Sequence, residues 1–180
     1  MPAAHELYFG YGSNLHAEDF AAFCARHGHD PAGLRALGRA WLPDHALAFT
    51  TPSVARRGGV LDVLARPGCF VPGVLFATRD WATLDLKEAA GTQYRRRPAA
   101  VVCEHGRRHE VQTYDVLEHL RAPFVAPGAD YLRIVREGLA HHGHSDAHLL
   151  AAASNTPLTT HSVPAAVLRA WGTGSPLSTH

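Results

Sequence analysis

Short runs in which large apolar residues alternate with smaller or polar ones predict strands along much of the chain. The predicted strands cover residues 7–11, 46–50, 59–65, 71–77, 94–103 and 109–116. Gly- and Pro-containing turns are predicted at 66–69 and 104–107, each joining two of these strands into a hairpin. Residues 28–44 carry scattered Gly and Pro and are predicted to be irregular, and 51–58 are predicted to form a loop.

A different period, with apolar residues three and four apart, predicts helices between and after the strands. These helices cover residues 17–27, 78–91, 131–141, 147–153 and, as a short last one, 163–171. Thr78 is a candidate N-cap and Gly91 a candidate stop for the second helix, and Ser145 is a candidate N-cap for the fourth. Strands concentrated in the middle and interrupted by helices favour an α+β fold over a doubly wound parallel sheet.

The composition adds one prediction, that the chain forms a single soluble domain. The chain has 180 residues, 46% of them hydrophobic, and a formal charge of +1, which gives no electrostatic reason to bind nucleic acid or membrane. No apolar run is long enough to span a bilayer and the N-terminus lacks a secretory pattern, so a cytoplasmic location is expected. The three cysteines show no metal or redox spacing.

The composition shifts to Thr, Ser, Pro and His from Asn155 onward. We therefore divide the chain into a domain at 1–154 and a tail at 155–180, with flexibility expected at 172–176. Deleting the tail is expected to leave a folded, active domain. Whether Trp171 packs on the body or on a partner is left open.

The first candidate site is the turn after the first strand, Gly12-Ser13-Asn14. A tight turn that feeds a helix exposes successive backbone N–H groups, which can hold an anion or a polarised carbonyl oxygen. Many strands end in such residues for turn formation alone, so this motif by itself leaves both interpretations open.

The second candidate is Glu88, near the end of the predicted helix at 78–91. At helical spacing Glu88 shares a face with Trp81 and Leu84, and the helix dipole disfavours its negative charge in the last turn. Both features favour a raised pKa and a role in proton transfer. The alternative is a Glu88 that points outward and pairs with a neighbouring cation, Lys87, Arg95 or Arg96.

Three motifs in order, YFGYGSNL, LDLKEAAGTQY and APGADYLRIVREG, resemble the gamma-glutamylcyclotransferases. The order and spacing agree from about residue 7 to 154. One departure is Ala89, which stands where the family has Gly after the glutamate. The resemblance implies a small, mixed, partly closed β-barrel flanked by helices.

The resemblance also implies a reaction. The α-amine of a γ-glutamyl substrate attacks its own γ-carbonyl, which yields 5-oxoproline and releases an amino acid. Glu88 would be the catalytic acid and base. Substrate-binding residues would be Tyr8, Phe9, Gly10, Tyr11, Gly12, Ser13, Asn14, Tyr94 and Tyr131.

No metal, nucleotide or other cofactor is needed for this reaction, and the expected partner is a small γ-glutamyl molecule. Nucleic acid and membrane partners are not expected, and a homodimer is left open. γ-Glutamylamines and glutathione remain alternative substrates. A non-catalytic member of the same fold, binding a small ligand or a protein, remains an alternative function.

Residue types alone suggest three other sites. His144 and His148, spaced i and i+4, could bind a metal but are expected to be solvated histidines. The run at 95–97 is three arginines that could contact phosphate or nucleic acid, although solvent-facing arginines are expected. A Cys–His catalytic pair has no supporting motif.

Overall fold

The computed structural model describes residues 6–172, which form a closed five-stranded barrel with five α-helices around it. The strands are β1 (Glu6–Gly10), β2 (Leu34–Ser53), β3 (Gly58–Thr78), β4 (Tyr94–Cys103) and β5 (Arg108–Val116). They follow one another around the barrel as β1-β3-β2-β4-β5. All pairs are antiparallel except β1 with β5, where Tyr8 lies opposite Gln112 in parallel. The predicted α+β class and mixed barrel are confirmed.

The long hairpin of β2 and β3 differs from the sequence prediction. A turn was expected at 66–69, but β3 runs through it, and both of its halves pair with β2. Residues 66–69 bulge out where the register slips between Pro43 and His45, and Asp44 Oδ1 accepts a hydrogen bond from Gly68 N at 2.9 Å. The irregular stretch predicted at 28–44 is wrong from Leu34 onward, because β2 begins there and its Gly38 and Pro43 lie beside register shifts in the pairing with β3.

The helices are α1 (Ala17–His27), α2 (Trp81–Lys87), α3 (Ala129–His141), α4 (Ala147–Ala153) and α5 (Ala165–Gly172). The predictions for α1 and α4 match these bounds. Helix α2 is shorter than predicted, since Thr78 still belongs to β3 and Asp80 is the N-cap, accepting from Thr83 N at 3.1 Å. The helix ends at Lys87, before Gly91. Three single 3₁₀ turns lie at Ser13–Leu15, Pro31–Gly33 and Glu118–Leu120.

The main core fills the barrel and extends to the helices that cover it. Phe9 and Phe49 of the strands are fully buried together with Val135 and Leu139 of α3 and Leu149 of α4. None of the helices between residues 6 and 172 has the length and apolar character that a membrane span requires.

Helix α5 lies within the predicted tail, yet it packs on the barrel. Val167 is fully buried in a second apolar cluster with Trp41, Phe70 and Val102. The indole of Trp171 donates to Asp44 Oδ2 at 2.9 Å, and so Trp171 packs on the body of the protein. The domain boundary at 154/155 stays a prediction. Most of the segment expected to be flexible, 172–176, lies outside the described residues.

Candidate active site

A narrow cavity of about 30 Å³ lies beside the end of β1 and the turn that follows it. Strands β1, β3, β4 and β5, the end of α2 and the start of α3 each contribute to its wall. We call it the tyrosine cavity; its lining residues are Tyr8, Tyr11, Gly12, Ser13, Asn14, Leu61, Glu88, Tyr94, Tyr114 and Tyr131.

Glu88 is the one carboxylate among these lining residues. It directly follows α2, is half-buried, and accepts a hydrogen bond at Oε1 from Asn14 Nδ2 at 2.8 Å. Burial raises the pKa of Glu88, while the charge of Lys87, the bond from Asn14 and the charge of Arg56 act in the opposite direction. A buried carboxyl group with a raised pKa is a candidate for proton transfer.

The alternative orientation of Glu88, outward towards a neighbouring cation, is wrong. Arg95 and Arg96 bind other carboxylates, Asp115 at 3.0 Å and Asp85 at 3.3 Å respectively. The Lys87 ammonium instead contacts groups on the turn and on α1.

Asn14 connects Glu88 to the aromatic wall. Its Nδ2 donates both to Glu88 and to Tyr8 Oη, the latter at 2.9 Å. Asn14 is 4% exposed, and within residues 6–172 its Oδ1 has no hydrogen-bond partner. A buried acceptor without a partner is costly, and so Oδ1 is suited to accept from a donor that enters the cavity.

The tyrosine hydroxyls divide into two groups by the direction of their hydrogen bonds. Tyr94 donates to Leu61 O at 2.7 Å and Tyr11 donates to Tyr114 O at 2.6 Å. The Tyr114 hydroxyl donates to Asp85 Oδ1 at 2.7 Å, so all three hydroxyls are committed to the protein. Tyr131 instead accepts from Leu61 N at 3.3 Å, as Tyr8 accepts from Asn14. Their own O–H protons are therefore available to a ligand. Burial raises the pKa of both hydroxyls, which remain protonated donors at neutral pH.

The turn after β1 carries backbone donors, and its Gly12, Ser13 and Asn14 line the same cavity. Its first hydrogen bonds run from Leu15 N to Gly12 O and from His16 N to Ser13 O, both at 3.1 Å. The N–H groups of Ser13 and Asn14 precede these bonds, as the first donors of a helical turn do. A Cβ at Gly12 would lie 3.3 Å from Tyr131 Oη, so glycine permits the close approach of α3 to the turn.

Eight of the ten predicted site residues line the tyrosine cavity, and Phe9 and Gly10 do not. Successive strand residues point to opposite faces, so Phe9 faces the core, where it is fully buried. A Cβ at Gly10 would lie 3.0 Å from the Phe76 ring. Leu61 and Tyr114 line the cavity but were missed, because nothing local distinguishes them from other strand residues. The functional roles of the whole set stay predictions.

The prediction that His144 and His148 are solvated is wrong, because both side chains are buried. Their Nε2 atoms lie 2.7 Å from the carbonyl oxygens of Gly73 and His161 respectively, so each ring is used in packing. Among residues 6–172, no cluster of three or more His, Cys, Asp or Glu side chains is arranged to hold a metal.

The arginines at 95–97 and the cysteines are the other two sites that residue type suggested. Arg95 and Arg97 both bind Asp115, and Arg96 stacks 4.6 Å from the Trp81 ring centre. The three cysteines are free thiols, with Cys24 and Cys69 buried.

Comparison with known proteins supports the resemblance drawn from the motifs. A family model described as gamma-glutamyl cyclotransferase, AIG2-like, matches residues 8–133. A search among curated proteins found no match.

Solved structures show the same fold in other chains. An uncharacterised human protein is 25% identical, with a TM-score of 0.66 over 77% of this chain and 80% of that one. A protein named gamma-glutamyl cyclotransferase is 21% identical, with a TM-score of 0.68 over 95% of this chain and 100% of that one. YkqA from Bacillus subtilis is 24% identical, with a TM-score of 0.70 over 85% of this chain and 55% of that longer one.

Proposed function

We propose that this chain, which belongs to the gamma-glutamyl cyclotransferase, AIG2-like family, is an enzyme that cyclises γ-glutamyl compounds to 5-oxoproline. The observation that carries the proposal is the Glu88 carboxyl group, held by Asn14 in a cavity lined by tyrosines. The substrate's α-amine attacks its own γ-carbonyl carbon, the C–N bond to the leaving nitrogen breaks, and an amine or amino acid departs.

Glu88 is the proposed acid and base of this reaction. The α-amine is an ammonium at neutral pH and cannot attack until it loses a proton, which the Glu88 carboxylate accepts. The protonated Glu88 then donates that proton to the leaving nitrogen, and the second proton that the attacking nitrogen must lose passes to the departing amine, so the enzyme returns to its starting state. Burial brings the pKa of Glu88 up towards the working pH, where a group can both take and give a proton.

The remaining cavity groups are proposed to hold the glutamyl part. The N–H groups of Ser13 and Asn14 and the free O–H groups of Tyr8 and Tyr131 are donors for the α-carboxylate and for the oxyanion that develops at the γ-carbonyl. Asn14 Oδ1 is the proposed acceptor for the α-ammonium. Since attacking amine and carbonyl share one molecule, holding the chain in a folded shape supplies much of the rate enhancement.

The tyrosine cavity is smaller than a glutamyl group, so we expect substrate binding to widen it. The proposal needs no cofactor. γ-Glutamyl amino acids, γ-glutamylamines and glutathione are all candidate substrates. The cytoplasmic location and the homodimer stay predictions.

A substrate panel tests the proposed function. Purified protein is incubated with γ-glutamyl-alanine, glutathione and γ-glutamyl-ε-lysine, and 5-oxoproline is measured by chromatography. We expect at least one substrate to be cyclised by the wild type and not by Glu88→Gln. Absence of 5-oxoproline from all three at high enzyme concentration would show that the proposed activity is wrong.

A further inference from the structure

A second cavity of about 80 Å³ adjoins the tyrosine cavity and shares Ser13, Glu88, Tyr94 and Tyr131 with it. We call it the cationic recess; its other lining residues are Ser53, Arg56, Val60, Lys87 and Gln93. Glu88 and Tyr131 therefore stand at the junction of the two cavities. A substrate whose reacting atoms lie against Glu88 has room to extend into either one.

Two cations face this recess, and both are restrained. The Lys87 side chain is 5% exposed, and its ammonium donates to Ser13 Oγ at 3.0 Å and to Asp19 Oδ2 at 3.3 Å. Arg56 binds the two oxygens of Asp19 at 2.8 and 2.7 Å. Asp19 therefore binds both cations, and their bonds and charges lower the pKa of Asp19 in spite of its burial.

Among the described residues, these contacts leave unused donors and an excess of positive charge. Arg56 uses two of its five N–H donors on Asp19, and Lys87 uses two of its three. Two cations against one Asp19 leave a net charge of +1 when Glu88 is protonated. Such partly desolvated cations bind an anion more strongly than exposed ones do.

We propose, resting on the proposed function, that the cationic recess binds the carboxylate of the leaving group, so that the preferred substrates are γ-glutamyl α-amino acids. In such a substrate the carboxylate is attached to the same carbon as the leaving nitrogen, which places it beside Glu88 when the glutamyl part occupies the tyrosine cavity. In γ-glutamyl-ε-lysine the carboxylate lies at the far end of the side chain, and a simple amine has none.

Arg56 is the residue that determines this specificity. It lies at the recess, half-buried, on the hairpin turn between β2 and β3, and its positive charge is close enough to lower the pKa of Glu88. Glu88 becomes neutral when it takes the proton from the α-amine, and the carboxylate then faces two cations and one anion.

The test compares two substrates that differ in one charge, γ-glutamyl-alanine and γ-glutamyl-alaninamide. We expect the wild type to show a kcat/KM about 10- to 100-fold higher for the acid, as loss of a charge-assisted contact implies. Arg56→Gln should bring this ratio close to unity, and Arg56→Lys should restore part of it. Arg57→Gln is the control, since Arg57 is an exposed neighbour in the same turn and its loss should preserve the wild-type ratio.

Each result decides between the proposals. If the wild type forms 5-oxoproline from both substrates at equal efficiency, the inference is wrong and the proposed function stands. Equal losses on both substrates in Arg56→Gln would also overturn the inference, by giving Arg56 a structural role or a contact with the glutamyl part. If neither substrate yields 5-oxoproline with the wild type, the proposed function itself fails. The wild-type ratio decides the question even where the Arg56 variants do not fold.

Discussion

At the scale of single residues, Glu88 stands where two physical effects disfavour its charge. It follows the last residue of α2, at the negative end of the helix dipole, and it lines a cavity of only about 30 Å³. Lys87 and Arg56 offset part of this cost, and Asn14 fixes one of its oxygens. The result is a carboxyl group whose two protonation states are closer in energy than those of an exposed glutamate.

The first prediction concerns Glu88→Gln, which preserves size and the acceptor for Asn14 but cannot carry a proton. We expect kcat for 5-oxoproline release to fall by about two to four orders of magnitude. The folded pKa of Glu88 is raised above its unfolded value, so ionised Glu88 destabilises the fold as pH rises, and the variant should melt at the same or a higher temperature. Glu18→Gln, on the exposed face of α1, is the control. Near-normal kcat in Glu88→Gln would remove Glu88 from the chemistry.

Ala89 is the second residue-scale case, because its φ of 46° lies in the left-handed region that favours glycine. The resemblance places Gly at this position, and this chain has an alanine in a strained conformation instead. We predict that Ala89→Gly raises the free energy of unfolding by about 1 kcal/mol, measured by urea denaturation. Ala90→Gly, one position later, should lower it. A loss of stability in Ala89→Gly would mean that strain at this residue is negligible.

At the scale of elements, the turn at Ser13–Leu15 joins β1, α1 and α3. Gly12 allows Tyr131 to approach, Ser13 Oγ accepts from Lys87, and Asn14 reaches Glu88. Gly12, Ser13 and Asn14 therefore connect the tyrosine cavity and the cationic recess to the end of β1.

A proline in this turn gives the element-scale prediction for binding. Ser13→Pro removes the backbone donor but suits the first position of a helical turn, so the variant should fold. We expect kcat/KM to fall at least tenfold further than in Ser13→Ala, which loses only the hydroxyl group. Steady-state kinetics of the two variants isolate the N–H group. Equal kinetics would show that this N–H does not contact the substrate.

The packing of helix α5 changes the stability that we expect after deletion of residues 155–180. Its buried Val167 closes a cluster with Trp41, Phe70 and Val102, so deletion of 155–180 would expose apolar surface. We expect the truncated chain to melt several degrees lower, and Val167→Ala to cost about 1–3 kcal/mol. Calorimetry of both, with exposed Leu150→Ala as control, measures the effect. Unchanged melting would support the division at 154/155 as an independent folding unit.

At the scale of the whole molecule, buried histidines attach the helical layer to the barrel. His144, which follows α3, contacts the carbonyl of Gly73 on β3 and lies 5.0 Å from the Trp41 ring of β2. Burial lowers the pKa of His144 to about 4 and also lowers that of His142 and His148. Each of these rings is therefore neutral in the folded protein at neutral pH.

This burial predicts acid sensitivity. A histidine with a folded pKa below its unfolded value binds fewer protons when folded, so stability falls as pH drops from about 6.5 towards 4. We expect the fall in the free energy of unfolding between about pH 6.5 and 4 to be about 1–3 kcal/mol smaller in His144→Gln than in the wild type. Urea denaturation at several pH values measures this difference. His105→Gln, at an exposed residue, should preserve the wild-type slope. An unchanged slope in His144→Gln would assign the acid sensitivity to other groups.

Elements defined by neighbouring residues could be predicted from the sequence. The bounds of α1, the β4–β5 hairpin and α4 follow from periodicity and turn residues, which act over a few positions. Glu88 and the turn after β1 were found for the same reason, since helix position and Gly-Ser-Asn spacing are local. The family motifs added the proposed reaction.

Only the tertiary structure decided which distant residues meet. β2 and β3 extend through Gly and Pro because long antiparallel pairing outweighs local turn preference. Tyr114 enters the tyrosine cavity, and Arg56 and Lys87 converge on Asp19, only once the barrel closes. The sequence by itself therefore determined the local elements and the chemistry available at Glu88, whereas the shape and charge around that carboxylate depend on contacts between residues far apart in the chain.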